Sequence, residues 1–320
     1  MPLHGDSILA VGTVAFDTIR TPFGVRERVV GGAGTYAGWA ASRISGSVGL
    51  VSVIGEDFPQ SELEQMQAAG MDLSGVELRQ GEKSFFWSGA YHMDMNTRDT
   101  LATELNVLAD FKPVVPEKWR MAKWLLLGNI DPVLQLSVLD QMEGRPQLTV
   151  LDTMNYWMES ALDDLLAVIS RVDVVSINDD EARQLSGQHS LVRAAKHILS
   201  MGPKYAIIKK GEHGALLFQN NANGALEFFY APALPLEEVV DPTGAGDTFA
   251  GGFLGHIARC GTTDFDTLKQ AVVVGSALAS FTCEAFGAER IRTVSEEELL
   301  ERVDTFRTLV DFTPIAAVAI

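Results

Sequence analysis

Apolar residues gather along this chain in short runs separated by longer amphipathic stretches. The runs at 8–11, 48–54, 124–127, 148–151, 172–177 and 206–209 have the length and near-continuous hydrophobicity of strands buried on both faces. Between them, 60–69, 133–142, 162–170 and 191–199 repeat apolar positions at helical spacing. Buried strands alternating with helices predict a doubly wound α/β fold on a mostly parallel sheet.

Two segments break that rhythm. FDTIRTPFGVRERVV at 16–30 and KSFFWSGAYHMD at 83–94 read as antiparallel strands, with turns at Pro22-Phe23-Gly24 and at Ser88-Gly89. Such strands do not fit a parallel core, so a small β lid over the sheet's edge is predicted from about 15–30 and 83–95. After about residue 245 only helical patterns follow, DTFAGGFLGHIA and LKQAVVVGSALASFTCEAF. With no repeat, low-complexity tract or long linker, residues 1–320 are expected to form a single domain.

Composition narrows the function classes. A chain that is 47% hydrophobic can bury a large core, and a net charge of −17 repels nucleic acid and anionic membranes, leaving small molecules as the expected ligands. Cys260 and Cys283 lack CxxC spacing, so neither a disulfide framework nor a structural metal is expected, and both read as small core filler in a reducing cytoplasm. No N-terminal run resembles a signal peptide, and the apolar tail PIAAVAI is far short of the roughly 20 residues that span a bilayer. A cytoplasmic globular protein without a membrane or nucleic-acid partner is expected.

The stretch VVDPTGAGDTFAGGFLGHIA, 239–258, concentrates the chemistry. Gly244-Ala245-Gly246 opens a helix whose body carries Gly251, Gly252 and Gly255, although an interior glycine costs about 1 kcal/mol relative to alanine. A helix N-terminus without bulky side chains presents free N–H groups to an anion. Asp247 beside such amides is unfavourable unless it acts there, for instance by accepting a proton from an attacking hydroxyl. Together they suit phosphoryl transfer. A glycine-rich turn with Asp247 near the N-cap is the plainer alternative.

A dinucleotide loop competes, since Gly32-Ala33-Gly34-Thr35-Tyr36-Ala37 has the form G-x-G-x-x-A and Glu56-Asp57 end a later strand. Its context is wrong: the first strand ends near Gly12, and Arg26-Glu27-Arg28 intervenes. The absence of any Gly-Lys dipeptide rules out a Walker A loop.

DPTGAGDTFAGGF resembles the C-terminal signature of the ribokinase-like sugar and nucleoside kinases, the PfkB carbohydrate kinase family, and further landmarks follow across essentially the whole chain. The resemblance implies Asp247 as catalytic base and the amides of Gly244, Ala245 and Gly246 as an anion hole. It implies Asp17, after Gly12, and the pair Gly31-Gly32 as acceptor contacts. Asn178 and Glu181 match an N-x-x-E element associated with magnesium and phosphate, while Lys209, Lys210, Gly211, Glu212, His213 and Gly214 match a nucleotide-contacting stretch. Phe286-Gly287-Ala288 resembles the loop closing over adenine, and Asp241 with Thr243 occupies the place of a monovalent cation site, usually potassium. ATP and Mg2+ are the implied cofactors.

Plainer readings exist for several of these. Asp17 could be a turn residue at a strand end, Asn178 and Glu181 a helix cap, His213 a surface turn residue, and Trp39 core. On the acceptor side the chain departs from ribokinases, which carry Lys and Asn where Ala33 and Tyr36 stand. Tyr36, with Phe16, Phe85, Trp87 and Tyr91, could stack on a base or an apolar sugar face, pack lid strands, or form a dimer seam through the lid. Arg98, near Asp94, Asn96 and Asp99, suits an anionic group on the acceptor or a salt bridge. Asn129 and Asp131, and Asp152 and Asn155, follow strand ends where ligands gather. The expected activity is ATP-dependent phosphotransfer to a hydroxymethyl or other hydroxyl group of a sugar or sugar derivative. A nucleoside kinase of the same family and a catalytically silent ligand-binding regulator are the alternatives, and the protein is expected as a monomer or a homodimer.

Overall fold

The computed structural model describes residues 7–311. The chain opens with β1 (Ile8–Val11), β2 (Ala15–Thr21) and β3 (Gly24–Gly31), then runs through α1 (Ala33–Ser45), β4 (Val48–Gly55), α2 (Gln60–Ala68) and β5 (Met71–Arg79). A second hairpin, β6 (Phe85–Tyr91) and β7 (Arg98–Glu104), precedes β8 (Trp124–Leu127), α3 (Pro132–Gln141), β9 (Leu148–Asp152), α4 (Asn155–Ser160) and α5 (Leu162–Ile169). Next come β10 (Val174–Asn178), α6 (Asp179–Ser186), α7 (Leu191–Ser200) and β11 (Tyr205–Lys209), then β12 (Ala215–Asn220) and β13 (Leu226–Ala231). Three helices follow: α8 (Ala245–Cys260), α9 (Phe265–Thr282) and α10 (Glu296–Val310).

Nine strands form the main sheet in the order β13-β12-β11-β10-β9-β8-β1-β4-β5. Pairing is parallel from β5 to β11, and β12 and β13 continue it antiparallel. The predicted doubly wound fold is therefore present, with one apolar core on each face of the sheet. β1 has β4 on one side and β8 on the other, so the strand order reverses at its C-terminal end. A doubly wound sheet opens a ligand crevice at such a point.

All six predicted buried runs are strands. β5, β12 and β13 carry no such run because they are edge or near-edge strands with partly exposed faces. α1 escaped the helical pattern because its small residues are buried almost all round, leaving no polar stripe.

The second sheet has the order β3-β2-β6-β7, and its central pair β2–β6 is parallel, so only the two hairpins are antiparallel as expected. The turn at Pro22-Phe23 is present, whereas the one expected at Ser88-Gly89 is not: β6 continues through it, with a shift in its register to β7 at that point. Gly89 is needed instead because the Trp87 ring folds over it, and a Cβ there would lie 2.2 Å from the ring. The chain reverses over 92–97, where the Asp94 carboxylate accepts from the Asn96 and Thr97 amides and the Thr97 hydroxyl. Neither cysteine fills the core, because Cys260 lies exposed at the end of α8 and Cys283 is half-buried. No helix among the described residues is long and apolar enough to cross a membrane, and the tail 314–320 lies outside them.

The interior glycines of α8 now have a physical reason. A Cβ on Gly251 would lie 2.3 Å from the Ala37 carbonyl oxygen, and one on Gly255 would lie 3.4 Å from the Ala41 Cα. Matching steps of four residues mean that α1 and α8 run parallel, backbone against backbone, with both N-termini at the same end. On another face Gly252 meets Gly275 of α9, where a Cβ would lie 3.2 Å from the Gly275 Cα. Gly251→Ala should therefore destabilise the fold by about 1–3 kcal/mol through overpacking, and Gly255→Ala by clearly less, as thermal unfolding of the two variants will show.

Candidate active site

The crevice at the end of β1 is built by close backbone approach. Gly12 lies so near Gly34 that a Cβ on it would be 2.7 Å from the Gly34 nitrogen, and Gly128, after β8, packs against Ala33 in the same way. Gly32, with φ of +94°, begins α1, and Thr13 Oγ1 accepts from the Ala33 amide at 3.0 Å. Asp17 hangs from β2 over Gly31, where a Cβ would lie 1.9 Å from its Oδ2. A side chain at 31 would therefore have to push the Asp17 carboxyl aside. Burial, then the charges of Asp241 and Asp247, push the Asp17 carboxyl up to about 8, against a hydrogen bond from the Gly32 amide.

The N-terminus of α8 lies beside that of α1. Gly244 caps it in the left-handed conformation, φ +76°, flat against the Tyr36 ring at a distance that leaves no room for a Cβ. Tyr36, 1% exposed, thus supports the loop from below, and its ring has no open face for a base or sugar. Its hydroxyl has no hydrogen-bond partner among the described residues. Asp241 ties the loop to the 286–288 segment, with Oδ1 accepting from the Thr243 amide and Oδ2 from the Gly287 amide, both at 2.9 Å. Burial raises the Asp241 carboxyl and these two amides oppose the shift. From the small sheet, Tyr91 accepts a 3.1 Å hydrogen bond from the Thr243 hydroxyl.

Asp247 stands in the first turn of α8. Its carboxyl is pushed up to about 7 by burial and then by Asp152, while Lys209 and Arg98 pull it down. Asp152 ends β9 and Lys209 ends β11, and they form a buried ion pair with Nζ donating to Oδ2 at 2.7 Å. The Lys209 ammonium lies against Gly246, 3.1 Å from where a Cβ would stand. Asn178 and Glu181 make a reciprocal capping box on α6, each accepting from the other's amide at 2.8 Å. The cap does not preclude a place in the site, because Glu181 feels the charges of Lys209, Asp152 and Arg98 and rises to about 7 chiefly through burial.

Several expected residues lie further out. Arg98 opens β7 exposed, makes no salt bridge among the described residues, and lies over the Trp87 ring, 5.9 Å from its centroid. Its charge nevertheless reaches Asp247 and Glu181. The Asn129 carbonyl accepts from Trp157 Nε1 at 2.8 Å. Gly211 lies against Asn96 of the 92–97 turn, and Asn96 donates to Glu212 at 3.3 Å, so the small sheet touches the 211–214 segment. Gly214 has φ of +86°, and a Cβ on it would lie 2.1 Å from the Ala231 carbonyl. Phe286 packs with Ile19, Tyr91 and Met95 under the small sheet.

Comparison with known proteins identifies the family. The family model described as pfkB family carbohydrate kinase matches residues 8–293. The chain belongs to the PfkB family. It is 34% identical to the cytidine kinase of Thermococcus kodakarensis over 257 residues, which are 79% of this chain and 88% of that one. It is 25% identical to the aminoimidazole riboside kinase of Salmonella typhimurium over 295 residues, 88% of this chain and 91% of that one. Among solved structures, the Methanocaldococcus jannaschii nucleoside kinase superposes with a TM-score of 0.73 at 19% identity, covering 94% of this chain and 98% of its own.

As a PfkB kinase the protein phosphorylates a sugar or nucleoside with ATP. Sequence reasoning missed the contacts that assemble the candidate site from distant segments, namely the Asp152–Lys209 pair, the Tyr91–Thr243 bond and the Asn96 contact. A buried-strand lysine two residues before Gly211 was the one available signal. Gly31→Ala should displace the Asp17 carboxyl and cost about 100-fold in kcat/KM for the acceptor while leaving ATP affinity unchanged, which steady-state kinetics and nucleotide titration will separate.

Proposed function

We propose that this kinase phosphorylates the hydroxymethyl group of a nucleoside, with Asp247 as general base. The observation that carries the chemistry is Asp247 itself: a carboxyl raised to about 7, in the first turn of a helix whose opening loop is bare of side chains. A base of that pKa is matched to neutral pH. The relatives that phosphorylate cytidine and aminoimidazole riboside, by their names, support a riboside acceptor.

In this reading Asp17 and the backbone at Gly31-Gly32 orient the ribose. Asp247 takes the proton of the attacking hydroxyl as its oxygen bonds to the γ-phosphorus. The amides of Gly244, Ala245 and Gly246 face the charge that develops on the transferring group. The small sheet, fastened by Tyr91 and Asn96, keeps water out and so limits loss of ATP to hydrolysis.

Glu181, Asn178 and the lysine and glycines at 209, 211 and 214 face the nucleotide. Mg2+ keeps several waters and takes one or two carboxylates plus phosphate oxygens. Glu181 is the carboxylate in place for it, and the ion would neutralise phosphate charge. A monovalent cation at Asp241 would have to share oxygens that already accept from Thr243 and Gly287.

The base must be ionised to act, so kcat/KM should fall as pH drops through about 7, where Asp247 becomes protonated. A pH–rate profile flat from 5 to 8 contradicts this role. Asp247→Asn should lower kcat by about 10² to 10⁴ with unfolding temperature unchanged. ADP release across nucleosides, ribose, other sugars and sugar acids, with and without magnesium, tests the acceptor: turnover of free sugars alone defeats the nucleoside reading.

A further inference from the structure

The buried ion pair at the ends of β9 and β11 has unused capacity. Lys209 Nζ makes one hydrogen bond among the described residues, to Asp152, although an ammonium carries three donors. Its side chain is only 17% exposed and its nitrogen rests against Gly246, in the proposed anion hole. Burial works against its charge, and Asp152 and Glu181 more than offset that, so the ammonium form is held. A buried cation with free donors beside a loop of neutral amides is matched to an anion.

We propose that Lys209 is a catalytic residue whose two free N–H groups take non-bridging oxygens of the phosphoryl group in flight, and that Asp152 is the positioning residue that aims it. This rests on the phosphotransfer reading above. In the step, the acceptor oxygen forms a bond to the γ-phosphorus while its proton passes to Asp247. The bond from that phosphorus to the bridging oxygen breaks, and its electron pair leaves on ADP. Lys209 keeps all three protons. Its surroundings are rich in carboxyl groups, Asp17, Asp152, Glu181, Asp241 and Asp247; each one that is ionised repels a triphosphate, and a fixed cation offsets that repulsion.

The pair also acts on the base. Facing Asp247 are Asp152 from β9, Lys209 from β11, Arg98 from β7, Asp17 from β2 and Tyr36 from α1, while Glu181 from α6 faces Lys209. Asp152 raises the base and Lys209 lowers it. Removing one or the other should shift the acid limb of the pH profile in opposite directions.

The decisive measurement needs no acceptor. Titrating wild type and Lys209→Met with magnesium ADP, alone and with aluminium fluoride as a stand-in for the phosphoryl group in flight, should show ADP affinity held within about threefold and the fluoride complex weakened by about tenfold or more. With an acceptor that turns over, kcat should fall by about 10² to 10³. Ethylammonium should restore part of the activity of Lys209→Ala. The acid limb should move to higher pH in Lys209→Met and to lower pH in Asp152→Asn. Lys209→Gln replaces Lys209→Met in the titration if that variant does not fold, and Lys209→Arg, which keeps the charge, is the control that should retain the fluoride complex, so the assignment is judged on the charge-neutral variant. Equal loss of both complexes, or loss of neither, overturns the assignment. A wild type that forms the fluoride complex yet phosphorylates only free sugars refutes the nucleoside reading and leaves Lys209 standing.

Discussion

The site depends on one contact, the backbone-to-backbone packing of α1 against α8. Two parallel helices can approach this closely only where one lacks side chains, and Gly251 provides that opposite Ala37. The consequence is felt a turn and a half away. It brings the N-terminus of α1, which follows Gly31-Gly32, beside the N-terminus of α8, which follows Gly244. Two helix ends of the same polarity then face one crevice, and Tyr36 fills the space between them. Acceptor groups and phosphate-facing groups are thus placed by the same packing, so neither half can shift without the other.

Onto that frame the fold loads an unusual density of carboxyl groups. A chain of net charge −17 offers an approaching triphosphate little attraction over distance, so attraction must come from local elements. Those elements are the helix ends, the Lys209 ammonium and the Arg98 guanidinium. Enclosure raises Asp17, Asp241, Glu181 and Asp247 together, and each is restrained by a nearby amide or cation. The pocket is an electrostatic balance in which charge on one group is felt by all the rest.

Much of this was legible in the sequence, and the limits have physical causes. The six doubly buried strands and the loop at 244–247 announce themselves through local composition, since continuous apolar runs and a glycine-rich helix start are short-range signals. Edge strands, half exposed, lack that signature, as β5 and β12 show. Ser88-Gly89 misled because a glycine needed beneath the Trp87 ring looks identical in sequence to one needed for a turn. Tyr36 misled similarly, since an aromatic at helical spacing after a glycine pair reads as ligand-facing until the Gly244 backbone is found lying on it. Contacts such as Asp152 with Lys209, 57 residues apart, depend on strand order, and strand order is not written in any local window.

The parallel seam of the small sheet carries a consequence for how the molecule comes together. Its two hairpins are local and can form early, but the seam joins Ala15 to Phe85 and Arg20 to Ala90, across the whole β3–α1–β4–α2–β5 stretch. Closing a loop of that length carries an entropic cost that is repaid once the intervening elements are packed. The seam and the packing of β1 against β4 are therefore coupled, since each shortens the loop that the other has to close. The cover over the crevice thus depends on the integrity of a stretch of chain that lies outside it.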